Sequence, residues 1–138
     1  MNTNKETAKT LEDVKVNVRI KLSALWVTLM LFYIYADILG FYTPGNIEKV
    51  VSGEIGGFQI TEGFLFVMAI WMAIPSVMVF LSLTLKYPAI RWVNIIVAIL
   101  LFVFNLFGLP YKGAYDNFLI IVSFVFNALT VWYAWKWV

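Results

Sequence analysis

The sequence has no cysteine and no histidine, and only 13% of its 138 residues are charged. The missing residue types exclude disulfides, thiolate nucleophiles, zinc fingers, haem held by an axial histidine and imidazole acid/base chemistry. The scarcity of charge excludes an ordinary soluble globule, in which about a quarter of the residues are charged. A net charge of +2 is too small to imply nucleic acid as a partner. Gly-rich phosphate loops and metal-ligand clusters are also missing, so no cofactor and no metal are expected. What remains is 62% hydrophobic and 18% aromatic, the composition of a protein whose solvent is the lipid bilayer.

Crossing a hydrocarbon core of about 30 Å takes about 20 apolar residues. Four such runs are present, at about residues 22–42, 63–85, 91–109 and 117–138. Mixed polar residues precede the first, and no small-residue cleavage site follows it, so it is expected to be retained rather than removed as a signal peptide. The reading is an all-α integral membrane four-helix bundle over residues 21–138, with a tail over residues 1–20. In that tail Leu11, Val14 and Val18 suit a short juxtamembrane helix, while Val14, Val16, Val18 and Ile20 suit extended chain equally well. Four spans place the tail, the loop from Lys86 to Ile90 and the carboxyl end on one side. That side holds Lys5, Lys9, Lys15, Arg19, Lys21, Lys86, Arg91 and Lys136, and the other only Lys49 and Lys112. The bias assigns both termini to the cytoplasm. Of the outer loops, Asn46 to Ser52 suits one interfacial helical turn. Trp132, Tyr133, Trp135 and Trp137 form an interfacial aromatic belt at the inner boundary.

Polar residues inside a span are costly in lipid and face protein or a water-filled cavity. In span one, Ser23, Trp26, Met30, Tyr33, Asp37 and Gly40 recur at steps of three and four. Arg91, Asn94, Ala98, Leu101, Asn105 and Gly108 do so in span three, and Asp116, Ile120, Ser123, Asn127, Thr130 and Ala134 in span four. A sustained seven-residue repeat is the seam of a left-handed bundle. Span two offers Ala69, Ala73 and Ser76 as a small face for close helix approach and Met68, Met72, Pro75 and Ser82 as another, and Pro75 predicts a kink or hinge. At about 1.5 Å per residue, the stripes converge on an outward-facing pocket of Asp37, Tyr33, Asn105, Ser123 and Asn127, with Glu62 at its mouth and Trp26 below. Asp37 is the one acid well inside a span. At the inner boundary Arg91, Lys86 and Lys136 are candidates for an anionic lipid headgroup, although snorkelling also explains them.

The segments from Lys15 to Gly45, Met72 to Ile96 and Val131 to Trp137 resemble a family of small bacterial four-helix membrane proteins catalogued as a domain of unknown function. The resemblance rests on Tyr33, Tyr35, Asp37, Pro44, Gly45, Pro75, Ser76, Met78, Ser82, Arg91, Trp92 and Asn94. It implies the fold and a bacterial cytoplasmic membrane, with no activity attached. The layout is also similar to that of DoxX-like proteins, a likeness of architecture alone.

No histidine, no cysteine and no paired carboxylates at catalytic spacing make an enzyme the least expected class. The expected function is binding of a lipid or small hydrophobic ligand, or of a membrane partner, in the outward-facing pocket. The alternative is an oligomeric proton-coupled transporter or channel built on Asp37, with Trp26, Tyr33 and Trp71 supplying cation-π surface.

Overall fold

The computed structural model describes residues 14–137. Leu11, and with it most of the expected tail helix, lies outside the described residues. Residues 14–17 are not helical, and Asn17 accepts the backbone N–H of Arg19 at 2.9 Å as an N-cap. Helix α1 then runs over Val18–Phe41, α3 over Glu62–Thr84, α4 over Ala89–Gly108 and α5 over Ala114–Lys136. These four helices are long and apolar enough to cross a membrane, at 24, 23, 20 and 23 residues. Helix α1 starts four residues before the apolar run because its cap precedes Arg19 and Lys21, which an apolar run does not include.

Between α1 and α3 lie a short helix α2 (Asn46–Val51) and a hairpin of β1 (Glu54–Ile55) with β2 (Phe58–Gln59). The helical turn is the expected one. The hairpin follows from Gly56 and Gly57, whose positive φ values of 58° and 88° supply a two-residue turn with left-handed geometry at both positions.

Helix α1 packs along both α3 and α5, α4 packs along α5, and α3 meets α4 only lightly. The buried residues of α4 are Ile90, Asn94, Ile95, Ala98, Leu101 and Asn105, and those of α5 are Ile120, Ser123, Asn127, Thr130 and Ala134. The polar and small seams of these spans are therefore the packed faces. Span two packs through Pro75 and Ser82 of its second face rather than through its small face. The residues it buries are Pro75, Met78 and Ser82, while Ala69, Ala73 and Ser76 are exposed. Helix α3 continues through Pro75, which is the first of its residues to be buried. Before it, Leu65, Phe66, Val67 and Ile70 are all exposed.

The described charges separate along the bundle. One end carries Lys15, Arg19, Lys21, Lys86, Arg91 and Lys136 and, among the described residues, no carboxylate. The opposite end carries Asp37, Glu48, Glu54, Glu62 and Asp116 with Lys49 and Lys112. At the basic end Arg19 Nη1 donates to the carbonyls of Leu85 at 2.6 Å and Leu83 at 3.3 Å. A cation on α1 thus caps the last turn of α3, where unpaired carbonyls concentrate partial negative charge.

Three helices meet at Asn94. Its Oδ1 accepts from Trp26 Nε1 at 2.6 Å and Ser82 Oγ at 3.2 Å, while its Nδ2 donates to the carbonyl of Ile90 at 2.8 Å. All three side chains are fully buried. Asn94→Ala leaves the Trp26 and Ser82 donors without their shared acceptor and is expected to lower stability by about 1–3 kcal/mol, measured by unfolding in mixed micelles.

Candidate polar network and lipid-facing groove

The steps of three and four bring Tyr33, Asn105, Ser123 and Asn127 together. Tyr33 is held on α1 one turn beyond Leu29, which is fully buried, and its hydroxyl oxygen accepts from Asn105 Nδ2 at 3.3 Å and Asn127 Nδ2 at 3.4 Å. Asn105 Nδ2 also donates to the carbonyl of Leu101, and Asn127 Nδ2 to that of Ser123. Ser123 Oγ donates to the carbonyl of Ile120 at 2.7 Å. These bonds spend polar groups of α1, α4 and α5 on one another and on their own helices.

Three expected members of the pocket sit apart from this network. Trp26 belongs to the Asn94 junction nearer the basic end and is fully buried. Glu62 stands exposed in the first turn of α3, where its charge complements the helix dipole. Asp37 is one turn beyond Tyr33 and exposed, within Coulombic reach of Asp116 on α5. The two carboxylates have no third metal-ligating neighbour: among the described residues no group of three such side chains occurs.

Tyr111, a residue that the spans alone do not point to, packs against the cluster beside this network. The short connection from α4 to α5 turns Tyr111 back against the cluster containing Tyr33, Leu101 and Ile120. Asn117 clamps it: Oδ1 accepts from the Tyr111 backbone N–H and Nδ2 donates to the Tyr111 carbonyl, each at 2.8 Å. Gly108 makes the closure possible, since a Cβ there would overlap the Tyr111 ring and hydroxyl. Burial and the nearby Asp116 push the Tyr111 phenol above its ordinary value of 10.0, so it stays neutral at physiological pH. The available signal was Asn117, an amide six residues after Tyr111 beside Gly113 in a turn.

The void that touches the network opens sideways. About 80 Å³ in volume, it is lined by Ala98, Ile99 and Phe102 of α4 and Asn127, Ala128 and Val131 of α5. Asn127 Oδ1 is buried and has no hydrogen-bond partner among the described residues. A shallower depression of about 290 Å³ lies elsewhere, at the corner of α1 and α2 from Phe41 to Glu48.

At the basic end, cations lie over aromatic rings. Arg19 is 5.2 Å from Trp137, Lys21 5.0 Å from Tyr133 and Lys136 3.9 Å from Trp132. Arg91 lies beside the edge-on pair of Trp92, at 5.7 Å, and Trp135, at 5.3 Å. Its Nη2 donates to the Trp135 carbonyl at 3.1 Å, tying α4 to α5, and its Nε is buried without a partner among the described residues. Lys86 is exposed in the turn between α3 and α4. The aromatic belt therefore doubles as a set of cation partners, a pairing visible in part as Trp132 and Lys136 one helical turn apart.

Residues 10–137 match the family described as "Family of unknown function (DUF6326)", and the chain belongs to that family. No curated protein and no solved structure matches it.

Gly108→Ala is expected to drive Tyr111 off the core and admit water to the Tyr33 layer. Peptide mapping after tetranitromethane treatment should then show nitration of Tyr33 that the wild type resists; equal nitration in both proteins would mean that Tyr111 does not shield it.

Proposed function

We propose that this member of a family of unknown function is a lipid-binding protein of the bacterial inner membrane, a left-handed bundle with both termini in the cytoplasm. Its basic end, at the inner leaflet, holds an anionic lipid headgroup. Arg91 carries the reading. A snorkelling arginine extends its guanidinium into water, whereas this one lies against the edge-on pair of Trp92 and Trp135 and is bonded to the Trp135 carbonyl across a helix boundary. Its Nε donor is left unpartnered, and no carboxylate shares that end among the described residues. A positive charge partly removed from water without a counter-charge is costly. A phosphate or carboxylate head supplies the missing anion and matches the planar fork of the guanidinium. Lys86 and Lys136 add positive potential at the same boundary, as a negatively charged leaflet surface requires.

A second reading follows from the juxtaposition of Asp37 and Asp116: an oligomeric, proton-coupled transporter that uses this acid pair at the outer end. The two readings predict different sensitive residues. Native mass spectrometry of protein released from membranes in mild detergent is expected to show anionic phospholipid retained in preference to zwitterionic. Arg91→Gln should abolish that preference, Arg91→Lys should keep part of it, and Asp37→Asn should leave it intact. Retention lost in Asp37→Asn and kept in Arg91→Gln would move the function to the acid pair.

The orientation is testable because the chain has no native cysteine. A cysteine replacing Gly53 should react with a membrane-impermeant maleimide on intact cells, and one replacing Lys86 only after permeabilisation. The reverse pattern would place the basic end outside and overturn the inner-leaflet assignment.

A further inference from the structure

We infer that the corner between α1 and α2 binds a quaternary ammonium cation on the aromatic residues Phe41 and Tyr42, beside the carboxylate of Glu48. The inference goes beyond the lipid reading above, since it concerns the opposite end of the bundle and a ligand of opposite charge.

The corner is built from the end of a span. Helix α1 stops at Phe41, Gly45 with a φ of 84° turns the chain, and α2 begins at Asn46. Asn46 Nδ2 donates to the Gly40 carbonyl at 2.9 Å, and the hydroxyls of Thr43 and Tyr115 share a hydrogen bond of 2.9 Å. The first bond holds α2 to the end of α1, and the second holds the corner to α5. They leave a depression of about 290 Å³, open to the surface and bordered by the residues from Phe41 to Gly45 with Ile47 and Glu48. Its volume exceeds the roughly 150 Å³ of a cavity that admits benzene, and a trimethylammonium group is about the size of that ring.

Negative charge converges on this corner. Glu48 is exposed at its border, and Asp37 lies one turn before Phe41 on the same face of α1. The last turn of α1 contains no basic residue, so the partial negative charge of its terminal carbonyls is not offset from within the helix. None of the bordering residues is basic, and Lys49 and Lys112, the basic residues at this end among the described residues, lie outside the border.

The aromatic residues are an independent observation. All five cation-π pairs among the described residues are formed at the basic end, by Arg19, Lys21, Arg91 and Lys136. Phe41 and Tyr42 are 48% and 79% exposed and hold no such cation. A calcium ion asks for about 6–8 oxygen ligands, whereas the border supplies one carboxylate. A quaternary ammonium asks for no hydrogen-bond acceptor, and aromatic faces with a nearby charge are sufficient to hold it. At the end of a span the group can come from a lipid headgroup or from a free solute.

The test titrates the full-length protein in maltoside detergent with choline and with its neutral isostere 3,3-dimethylbutan-1-ol, followed by saturation-transfer NMR of the ligand methyl groups. Choline is expected to bind about fivefold more tightly than the isostere, the scale of one cation-π contact. Tyr42→Leu and Glu48→Gln, both at exposed positions, should each weaken choline roughly threefold, while Glu54→Gln, outside the border, should leave it unchanged. Nanodiscs separate the two sources. Choline bound in phosphatidylglycerol discs and excluded from phosphatidylcholine discs identifies the lipid headgroup as the occupant, and choline bound alike in both identifies the free solute. Equal binding of choline and its isostere, choline binding indifferent to Tyr42→Leu and Glu48→Gln, or an equal loss in Glu54→Gln would each overturn the inference.

Discussion

The rest of the structure depends on one constraint: inside a hydrocarbon slab, a polar side chain must find its partner within the protein. Asn94 meets this condition for three helices at once, accepting from Trp26 on α1 and Ser82 on α3 while it donates along α4. Apolar faces alone would hold these helices weakly, because lipid tails are as apolar as leucine and exert no hydrophobic force between helices. Hydrogen bonds with only one good geometry fix the rotation of each helix about its axis. The Tyr33, Asn105 and Asn127 contact repeats the device nearer the acidic end for α1, α4 and α5. Two polar layers, with Leu29, Ala98 and Leu101 between them, define one register for the bundle.

This constraint also explains which parts of the architecture were legible in the sequence. The seams of α4 and α5 could be read directly, since Asn94, Asn105, Ser123, Asn127 and Thr130 are polar residues that lipid would reject, and all are buried. The small face of helix α3 misled for the complementary reason, while Pro75 and Ser82 of its other face are buried as a packed face requires. Its small residues Ala69, Ala73 and Ser76 are tolerated in lipid as readily as in a helix contact, so their spacing carried no obligation to pack, and they are exposed. Ser82, with a hydroxyl to satisfy, was the informative residue on that span. At the ends of the bundle the obligation lapses because water and loops are near. Asp37 and Glu62 continue their stripes without joining the network, and Tyr111 closes the space above it through a turn whose shape depends on Gly108 and Asn117. Such closure is a tertiary event that no single span encodes.

The two ends solve the problem of charge differently. At the acidic end the carboxylates are spread over α1, the hairpin segment and the starts of α3 and α5, where loops reach water. At the basic end the cations lie on aromatic faces, and Arg19 is in addition bonded to the carbonyls that end α3. An indole ring is a weak substitute for an anion, worth about 0.5–1 kcal/mol at an exposed site and more when desolvated. It orients a cation without neutralising it. The rim is therefore organised in geometry, with no carboxylate beside these cations among the described residues.

Arg91 and Asn127 then stand out against a rule that the rest of the interior obeys. Trp26, Tyr33, Asn94, Asn105, Ser82 and Ser123 each use polar atoms in hydrogen bonds within the bundle, while Arg91 Nε and Asn127 Oδ1 are the buried side-chain atoms without partners among the described residues. Random imperfections in packing would fall on any helix pair. Both of these fall on the α4–α5 boundary, one a donor at the basic end and one an acceptor in the polar layer around Tyr33.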